Sequence, residues 1–348
     1  MEQTILQSIS ISCANLQFSF ALLGILINTF HLIILSQKSM RTIAINVILI
    51  GIAISDILFS MFFVYSQILA FLEADYDPEC IPPPTWLQIF MNWIFQSCRD
   101  IFRRNSTWLG LILALIRAIV MRYSTHPRVK VLLKPWTSFK VLLSVTLISF
   151  LVSMLYFGRL QIIQYFDWIP PEACTLYPPN SSFPTFGLIE VQIWSLDSNE
   201  ISRKVFLTDT ILRTFPPILC PFLAGILVFE LGKARKRRKA MRSDKSDKDS
   251  DNTSKIVIWM TFAYVLAETP FAIGYFIQFT GAITDLKFLD LINNTITILM
   301  TFLMLYCSSH CVICFLLSSQ YRKAAKSMFG CGEKKRVART SNTLTVTF

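Results

Sequence analysis

The residues best suited to binding chemistry are arginines that interrupt an otherwise apolar stretch. Arg103 and Arg104 stand side by side near the start of FRRNSTWLGLILALIRAIV, residues 102–120, and Arg117 stands near its end. Guanidinium groups bind carboxylates and carbonyl oxygens through directed hydrogen bonds. In a soluble helix they would face water, but in a bilayer each needs a partner, a cavity or an interface. The solvent around this stretch therefore decides what these arginines can do.

The composition indicates that this solvent is lipid. Of the 348 residues, 53% are hydrophobic, and the mean hydropathy is +0.51. The apolar residues are gathered in seven blocks of roughly 20 or more, each long enough to cross about 30 Å of hydrocarbon at about 1.5 Å per residue. We predict membrane spans at residues 16–35, 43–72, 86–120, 139–157, 205–231, 256–279 and 291–317.

The distribution of charge predicts the orientation of these spans. Basic residues follow the first, third, fifth and seventh spans, most densely in KARKRRKAMR, residues 233–242, and acidic residues follow the second and fourth. Because loops rich in lysine and arginine stay in the cytoplasm, we expect an extracellular N-terminus, a cytoplasmic C-terminus and a multi-pass protein of the plasma membrane. The net charge of +11 then reflects loops that face anionic lipids and partner proteins, and no nucleic-acid partner is expected.

The sequence also suggests three kinds of covalent modification. Cys80 and Cys174 lie in predicted extracellular loops, where a disulfide between them would tie two loops together. Cys98 is an alternative partner for Cys174, although it lies deep in the third span. Asn180-Ser-Ser is a glycosylation sequon in an outer loop, and Cys331 in MFGCGEKK, after the last span, is a candidate palmitoylation site.

The sequence lacks features that several classes of protein require. A retinal protein needs a lysine in the seventh span, and residues 291–317 contain none. A transporter would show an internal repeat or interrupted helices, and neither is visible. The three histidines are too scattered for a metal site, and the loops are too short for a catalytic domain. We therefore expect no enzymatic activity, no metal and no cofactor.

Short motifs at matching depths resemble those of rhodopsin-like G-protein-coupled receptors. Asn28 in GILIN and Asp56 in IAISD match the polar residues of the first two receptor helices, Arg117 in ALIRAIV matches the end of the third, and Pro270 in AETP matches the kink of the sixth. Longer stretches, FHLIILSQKSMRT, STWLGLILALIR and LLSSQYR, resemble nematode serpentine receptor class W. That family is similar to FMRFamide-type neuropeptide receptors.

The resemblance implies an architecture and a function. It implies an all-α membrane protein, a seven-transmembrane helix bundle with a short amphipathic eighth helix. The expected division is an extracellular N-terminus (1–15), a seven-transmembrane receptor domain (16–317), the amphipathic helix (318–330) and a disordered cytoplasmic tail (331–348). The implied function is a receptor for a short, FMRFamide-like neuropeptide that activates a heterotrimeric G protein. The alternative is a chemosensory receptor for a small environmental molecule.

The resemblance also implies where the ligand and the G protein bind. It places Arg103 near the floor of the ligand pocket and Arg117 at the G-protein side. The candidate ligand-binding residues are Arg99, Asp100, Arg103, Arg104, Asp209, Arg213 and Glu268. Because an unpaired arginine at this depth costs roughly 2.5–3.5 kcal/mol on insertion scales, we predict an Arg103–Glu268 ion pair and Asp209 near Arg104. These charges either hold the bundle together or line a polar ligand cavity.

A second buried polar group is expected within the bundle. It consists of Asn28, Asp56 and His310, and His310 stands where related receptors have an amide. We predict an Asp56–His310 pair that changes on activation; the alternative is a neutral Asp56 that bonds to the histidine. The acidic outer loops suit a cationic peptide, whereas the inner arginines suit an acidic or carbonyl-bearing group.

Overall fold

The computed structural model describes residues 2–73, 77–123, 126–178, 180–191, 198–241, 248–279 and 286–328. The helices are α1 (Glu2–Leu35), α2 (Ala44–Glu73), α3 (Trp86–Arg122), α4 (Pro127–Leu132), α5 (Pro135–Phe157), α6 (Ser198–Met241), α7 (Lys248–Phe279), α8 (Leu286–Leu317) and α9 (Ser319–Met328). Two strands, β1 (Leu160–Trp168) and β2 (Phe183–Glu190), and a short 3₁₀ turn at Pro78–Cys80 complete the described elements.

Seven of these helices correspond to the seven predicted spans. Within the described ranges, six helices are long and apolar enough to cross a membrane, and α7 contributes a shorter apolar segment, Ile258–Gly274. The expected fold class, a seven-helix membrane bundle followed by a short amphipathic helix, is confirmed. The added helix, α9, buries Tyr321, Ala324 and Ala325, which lie three and four residues apart on one face.

The helices extend beyond the apolar blocks that predicted them. Helix α1 begins at Glu2 instead of residue 16, α6 continues to Met241 instead of ending at 231, and α7 begins at Lys248 instead of 256. The segment 233–241 of the basic cluster is thus helical. Hydropathy detects only the part of a helix that lies in lipid. The backbone hydrogen bonds of the helix continue into polar sequence until a helix-breaking residue ends it.

The described fold also contains a β-hairpin, which the prediction of an all-α protein did not include. Strands β1 and β2 are antiparallel, with Leu160 opposite Glu190 and Trp168 opposite Phe183. At the open end of the hairpin, Arg159 forms a 3.6 Å ion pair with Glu190. Both strands are rich in the β-branched and aromatic residues that favour extended chain, and the helix-to-loop transition at Gly158 frees them to pair.

A disulfide fastens the hairpin loop to the segment before α3. Cys80 and Cys174 are bonded, and the Tyr177 hydroxyl donates to the Cys80 carbonyl at 2.8 Å. We call this part of the bundle the disulfide end. The opposite part, where α3 finishes at Arg122 and α9 packs, is called the basic end.

The largest hydrophobic cluster lies toward the basic end. It joins α1, α2, α3, α8 and α9 through buried residues that include Ile48, Ile52, Leu109 and Tyr321. Close approach occurs at Gly51, where an added Cβ would lie 2.4 Å from Leu142 Cδ1 and 3.1 Å from Leu109 Cδ1. This packing holds α2, α3 and α5 at fixed relative positions, and those helices carry most of the polar residues described below.

Proline determines one polar contact between α3 and α6. Pro216 lies inside α6 and has no N–H, so the Leu212 carbonyl four residues earlier loses its partner in the helix. The Trp108 indole Nε1 donates to this carbonyl at 3.1 Å, and its ring stacks on Phe215. In lipid an unpaired carbonyl is costly, so a neighbouring helix supplies the donor.

Candidate functional site

Arg103 and Glu268 form the predicted ion pair between α3 and α7. Each residue is 4% exposed, so the pair is sealed from solvent. Arg103 Nη1 also donates to Cys307 Sγ at 3.6 Å, and its guanidinium lies 5.2 Å from the centroid of the Phe59 ring. The charge of Arg103 is therefore compensated by a carboxylate, a sulfur and an aromatic face, in agreement with the cost of leaving it alone in lipid.

Arg104, the next residue, turns toward α5 and α6. Its Nε donates to Asp209 Oδ1 at 3.0 Å, so the second predicted pair is also present. Its Nη1 donates to the Ser149 carbonyl at 2.7 Å and to the Ser153 hydroxyl at 3.1 Å. The two serines, four residues apart in an apolar helix, share one face, and sequence reasoning did not identify them.

The ion pairs continue from Arg104 toward the disulfide end. Arg213 Nε donates to Asp209 Oδ2 at 2.7 Å, Arg213 Nη2 lies 3.1 Å from Asp100 Oδ1, and Arg99 Nε donates to the same Asp100 oxygen at 3.3 Å. Positive and negative groups thus alternate along a chain that joins α3 and α6. We call the seven residues of both pairs and this chain the charged network: Arg99, Asp100, Arg103, Arg104, Asp209, Arg213 and Glu268.

The charged network is graded in exposure. The side chain of Arg104 is 3% exposed, that of Asp100 16% and that of Arg99 32%. Its four guanidinium groups face three carboxylates, which leaves one excess positive charge. Arg99 also lies over the Phe62 ring, 4.5 Å from the centroid. A ligand that approaches from the disulfide end would therefore meet the accessible, net positive side of the charged network first.

The second polar group is only partly assembled. Ser106 donates to Asp56 Oδ1 at 2.8 Å, while His310 Nε2 lies 3.8 Å from Asp56 Oδ2, beyond hydrogen-bond distance. Asn28 instead donates to the carbonyls of Gly24 and Cys307, at 3.0 and 3.1 Å. The structure brings Asp56 and His310 together as a loose contact, with Asn28 bonded to backbone beside them. Ser106 is a partner that sequence reasoning missed.

Space for rearrangement lies next to this group. A cavity of about 20 Å³, lined by His310, Tyr264, Tyr306 and other bundle residues, is large enough for about one water molecule. Among the described residues, neither imidazole nitrogen of His310 has a hydrogen-bond partner. The His310 ring therefore borders free space on one side and has no hydrogen bond among the described residues that fixes its orientation.

Arg117 lies at the basic end of α3, preceded by the buried Ile116. Within the described ranges, no acceptor hydrogen-bonds its Nε. A different arginine, Arg122, links this end of α3 to α6, with its Nη1 3.7 Å from Glu230 Oε1. The acidic residue within α3 is Asp100, many turns away, so the arginine expected at the G-protein side has no acidic neighbour in its own helix.

The remaining predicted positions are the loop cysteines, the Asn180 sequon and Cys331. The disulfide joins Cys80 to Cys174, and Cys98 is a free thiol, so the alternative pairing is excluded. Asn180 is exposed between β1 and β2 with a left-handed φ of 63°, a conformation that asparagine tolerates in turns. Cys331 and the predicted tail lie outside the described residues.

Comparison with known proteins agrees with this architecture. No curated protein matches the chain. A family model described as serpentine type 7TM GPCR chemoreceptor Srw matches residues 15–332, a range that includes all seven spanning segments and α9. The match supports the class W resemblance and a chemoreceptor role, while a similarity to FMRFamide-type receptors is not shown. Because the matched range covers most of the 348 residues, the chain belongs to the Srw family of seven-transmembrane, G-protein-coupled chemoreceptors.

Proposed function

We propose that this chain is a plasma-membrane chemoreceptor whose ligand binds the charged network from the disulfide end and activates a G protein at the basic end. Membership in a G-protein-coupled family implies a ligand and a G-protein partner. The charged network supports the location of the ligand site. A set of ion pairs at membrane depth is costly to maintain and is a functional site by default.

The chemistry of the charged network favours a ligand with an acidic or carbonyl group. The excess positive charge belongs to the accessible side, where Arg99 and Arg213 share Asp100. A carboxylate or carbonyl oxygen that binds Arg99 would displace Asp100 from Arg99 and leave Asp100 to Arg213 alone, which changes how α3 is held against α6. Exchange of one set of ion pairs for another is a small free-energy change, so a ligand of modest affinity could drive it.

Helix α3 offers a direct route to the other end of the bundle. It carries Arg103 and Arg104 in the charged network, Ser106 in contact with Asp56, and Arg117 at the basic end. A shift of α3 relative to α6 would therefore reach the Asp56–His310 contact and Arg117 together. In the proposed orientation the disulfide end is extracellular and the basic end, with its lysine- and arginine-rich segments, faces the cytoplasm, anionic lipids and the G protein.

The competing interpretation is that these charges only hold the bundle together. A screen of carboxylic acids, amides and amines with a G-protein readout in transfected cells separates the two. We expect an acidic or carbonyl-bearing activator whose potency falls at least about tenfold in Arg99→Gln at equal surface expression, because loss of a charge-assisted hydrogen bond costs about 1.5–3 kcal/mol.

Lys204→Gln is the matched control, since it removes an exposed positive charge from α6 outside the charged network. It should leave the potency unchanged. Equal potency of the wild type and Arg99→Gln, or equal losses in both variants, would support the purely structural interpretation.

A short cationic neuropeptide is the second candidate ligand, favoured by the charge at the mouth of the bundle. Exposed carboxylates cluster there, at Glu73, Asp77, Glu79, Asp167 and Glu172. Such a field raises the association rate of positively charged ligands. A panel of peptides that end in Arg-Phe-amide tests this candidate. An active peptide should associate more slowly with Glu79→Lys, most clearly at low salt, and an unchanged rate would argue against steering.

A further inference from the structure

A cavity separate from the charged network lies at the disulfide end. Its volume is about 540 Å³, within the range of about 300–1,000 Å³ that small-molecule sites occupy. Leu69 and Leu72 of α2 form one wall, Pro82 and Pro83 of the segment before α3 form another, and Phe183 and Phe186 of β2 close the third side. The lining is therefore mostly apolar, with aromatic rings contributed by the hairpin.

The walls of this cavity are held in place by covalent and hydrogen bonds. The Cys80–Cys174 disulfide and the bond from Tyr177 to the Cys80 carbonyl tie the hairpin to the segment before α3. Thr85 and Gln88 form a reciprocal cap at the start of α3, in which the Gln88 N–H donates to Thr85 Oγ1 and the Thr85 N–H to Gln88 Oε1. The cavity is thus preformed, which lowers the entropic cost of binding.

The polar groups of the lining point to the chemistry of an occupant. Thr85 and Gln88 already bond to each other in the helix cap. Glu73 is the one ionisable side chain among the described lining residues. A complementary molecule would bury an apolar body between Phe183, Phe186 and the leucines and place a cation beside Glu73.

An aromatic layer separates the cavity from the charged network. Tyr65 lies one turn below Leu69 on α2, and its ring stacks on Phe95 of α3, with the centroids 4.3 Å apart. Its hydroxyl donates to the Gln88 carbonyl at 3.3 Å. Arg99 lies one further turn along α3 from Phe95. The stacked pair thus lies in the seam between α2 and α3, between the cavity and Arg99, and no arginine is among the described residues that line the cavity.

We propose that this cavity is a binding site for a small hydrophobic amine, distinct from the ligand site in the charged network. The apolar part of the amine would displace water from the surfaces of the phenylalanines and leucines. Each methylene buried there contributes about 0.8 kcal/mol to the free energy of binding. Glu73 is exposed, so its contribution is that of a solvent-screened ion pair and gives selectivity more than affinity.

The test uses full-length receptor in lipid nanodiscs and two fluorescent probes of the same shape. Naphthylmethylamine is cationic, and naphthylmethanol is its neutral counterpart; binding is followed by fluorescence anisotropy after subtraction of empty nanodiscs. The amine should bind about threefold more tightly than the alcohol, as expected for an exposed ion pair. Glu73→Gln should remove that difference and leave the affinity for the alcohol unchanged.

Three further variants make the result specific. Asp77→Asn removes an exposed carboxylate four positions after Glu73 that is not part of the lining, and it should retain the preference for the amine. Leu69→Trp fills the cavity and should lower the affinity for both probes about tenfold or more, because the indole takes up the space that the naphthalene would occupy. Arg99→Gln, in the charged network, should bind both probes as the wild type does.

Either of two results would overturn the proposal. Equal effects of Glu73→Gln and Asp77→Asn would mean that the amine responds to the general surface charge. Binding that Leu69→Trp leaves unchanged would place the probes in the lipid or elsewhere on the protein.

Discussion

Arg103 shows how a single charge can be kept inside a lipid-embedded bundle. Its carboxylate partner, Glu268, comes from another helix and is equally buried. A buried pair contributes little net stability, because desolvation of both groups offsets their attraction, but the loss of one partner leaves an uncompensated charge. The pair is therefore better understood as a constraint on how α3 and α7 are positioned than as a source of stability.

This asymmetry predicts the behaviour of variants at the Arg103–Glu268 pair. Arg103→Met should destabilise the receptor by about 3–5 kcal/mol, because Glu268 is left buried without its partner. The double variant Arg103→Met/Glu268→Leu should recover most of this loss, since neither charge remains. Thermal unfolding of the purified receptor measures both effects. A double variant as unstable as the single one would show that the charges are not each other's main partners.

His310 gives a prediction about activation at the residue scale. In this structure its Nε2 and Asp56 Oδ2 are 3.8 Å apart, and each lacks a hydrogen-bond partner among the described residues. A state that pairs them would gain about 1.5 kcal/mol or more, enough to shift a two-state population about tenfold. His310→Ala should therefore lower the ligand-stimulated G-protein response about tenfold at equal surface expression.

Ser308→Ala provides the control for His310, because the Ser308 hydroxyl faces the Met304 carbonyl of its own helix. Its response should match that of the wild type. A His310→Ala receptor with a normal response would mean that the Asp56–His310 contact has no part in activation.

Among the elements, the hairpin depends most on a single covalent bond. The disulfide closes a loop with a sequence separation of 94 residues, which includes the whole of α3 and α5. It also fixes the cavity wall formed by β2 and the segment before α3. The bond therefore links the stability of the disulfide end to the shape of its surface.

Removal of this bond should be measurable. Cys80→Ser/Cys174→Ser is expected to lose about 2–5 kcal/mol of stability, the usual range for a native disulfide that closes a long loop. The melting temperature of the purified receptor should fall, and reduction of the wild type should lower it similarly. Cys98→Ser should change neither value, because Cys98 is a free thiol within α3. Sensitivity to reduction that disappears in Cys98→Ser would contradict the pairing.

The packing of α2 against α3 and α5 gives a second prediction at the scale of the elements. Gly51→Leu should destabilise the receptor by about 1–3 kcal/mol, because the new side chain would overlap Leu142 and crowd Leu109. Gly225→Leu is the matched control, since an added Cβ there meets nothing within 4 Å. Both changes raise helix propensity equally, so a comparison of melting temperatures isolates the packing. Similar values for both variants would show that α2 and α5 are not in close contact at Gly51.

For the whole molecule, orientation decides which end meets the ligand. The charged network opens toward the disulfide end, and the basic segments lie at the other end. Oligosaccharides are added to asparagine sequons on the lumenal side of the membrane, which later becomes the extracellular side. Asn180 lies exposed in the loop between the two strands and is well placed to report on this question.

Glycosylation mapping provides the corresponding prediction. The wild-type receptor from eukaryotic cells should run faster on a gel after glycosidase treatment, and Asn180→Gln and Ser182→Ala should each abolish this shift. Asn252→Gln should preserve it, because that sequon lies beside the basic segments. Loss of the shift in Asn252→Gln instead would reverse the proposed orientation and with it the proposed ligand and G-protein sides.

Several features of the site were predictable because the membrane imposes strict requirements. An arginine at membrane depth must find a partner, and few acidic residues lie at a suitable depth, so the pairs of Arg103 with Glu268 and of Arg104 with Asp209 followed from the sequence. The details of Asp56 did not follow. Its partner Ser106 and the backbone bonds of Asn28 depend on how each helix is rotated about its axis, which spacing alone does not specify.

The sequence by itself determined the number of spans, the helical class and the pairing of buried charges, because lipid tolerates neither unsatisfied backbone nor isolated ions. Only the tertiary structure decided the hairpin, the helical extensions beyond the apolar blocks and the cavity beside Glu73. These features lie where water can satisfy the backbone, so many chain paths are compatible with the same hydropathy. Contacts between distant segments, such as Cys80 with Cys174, select one of them.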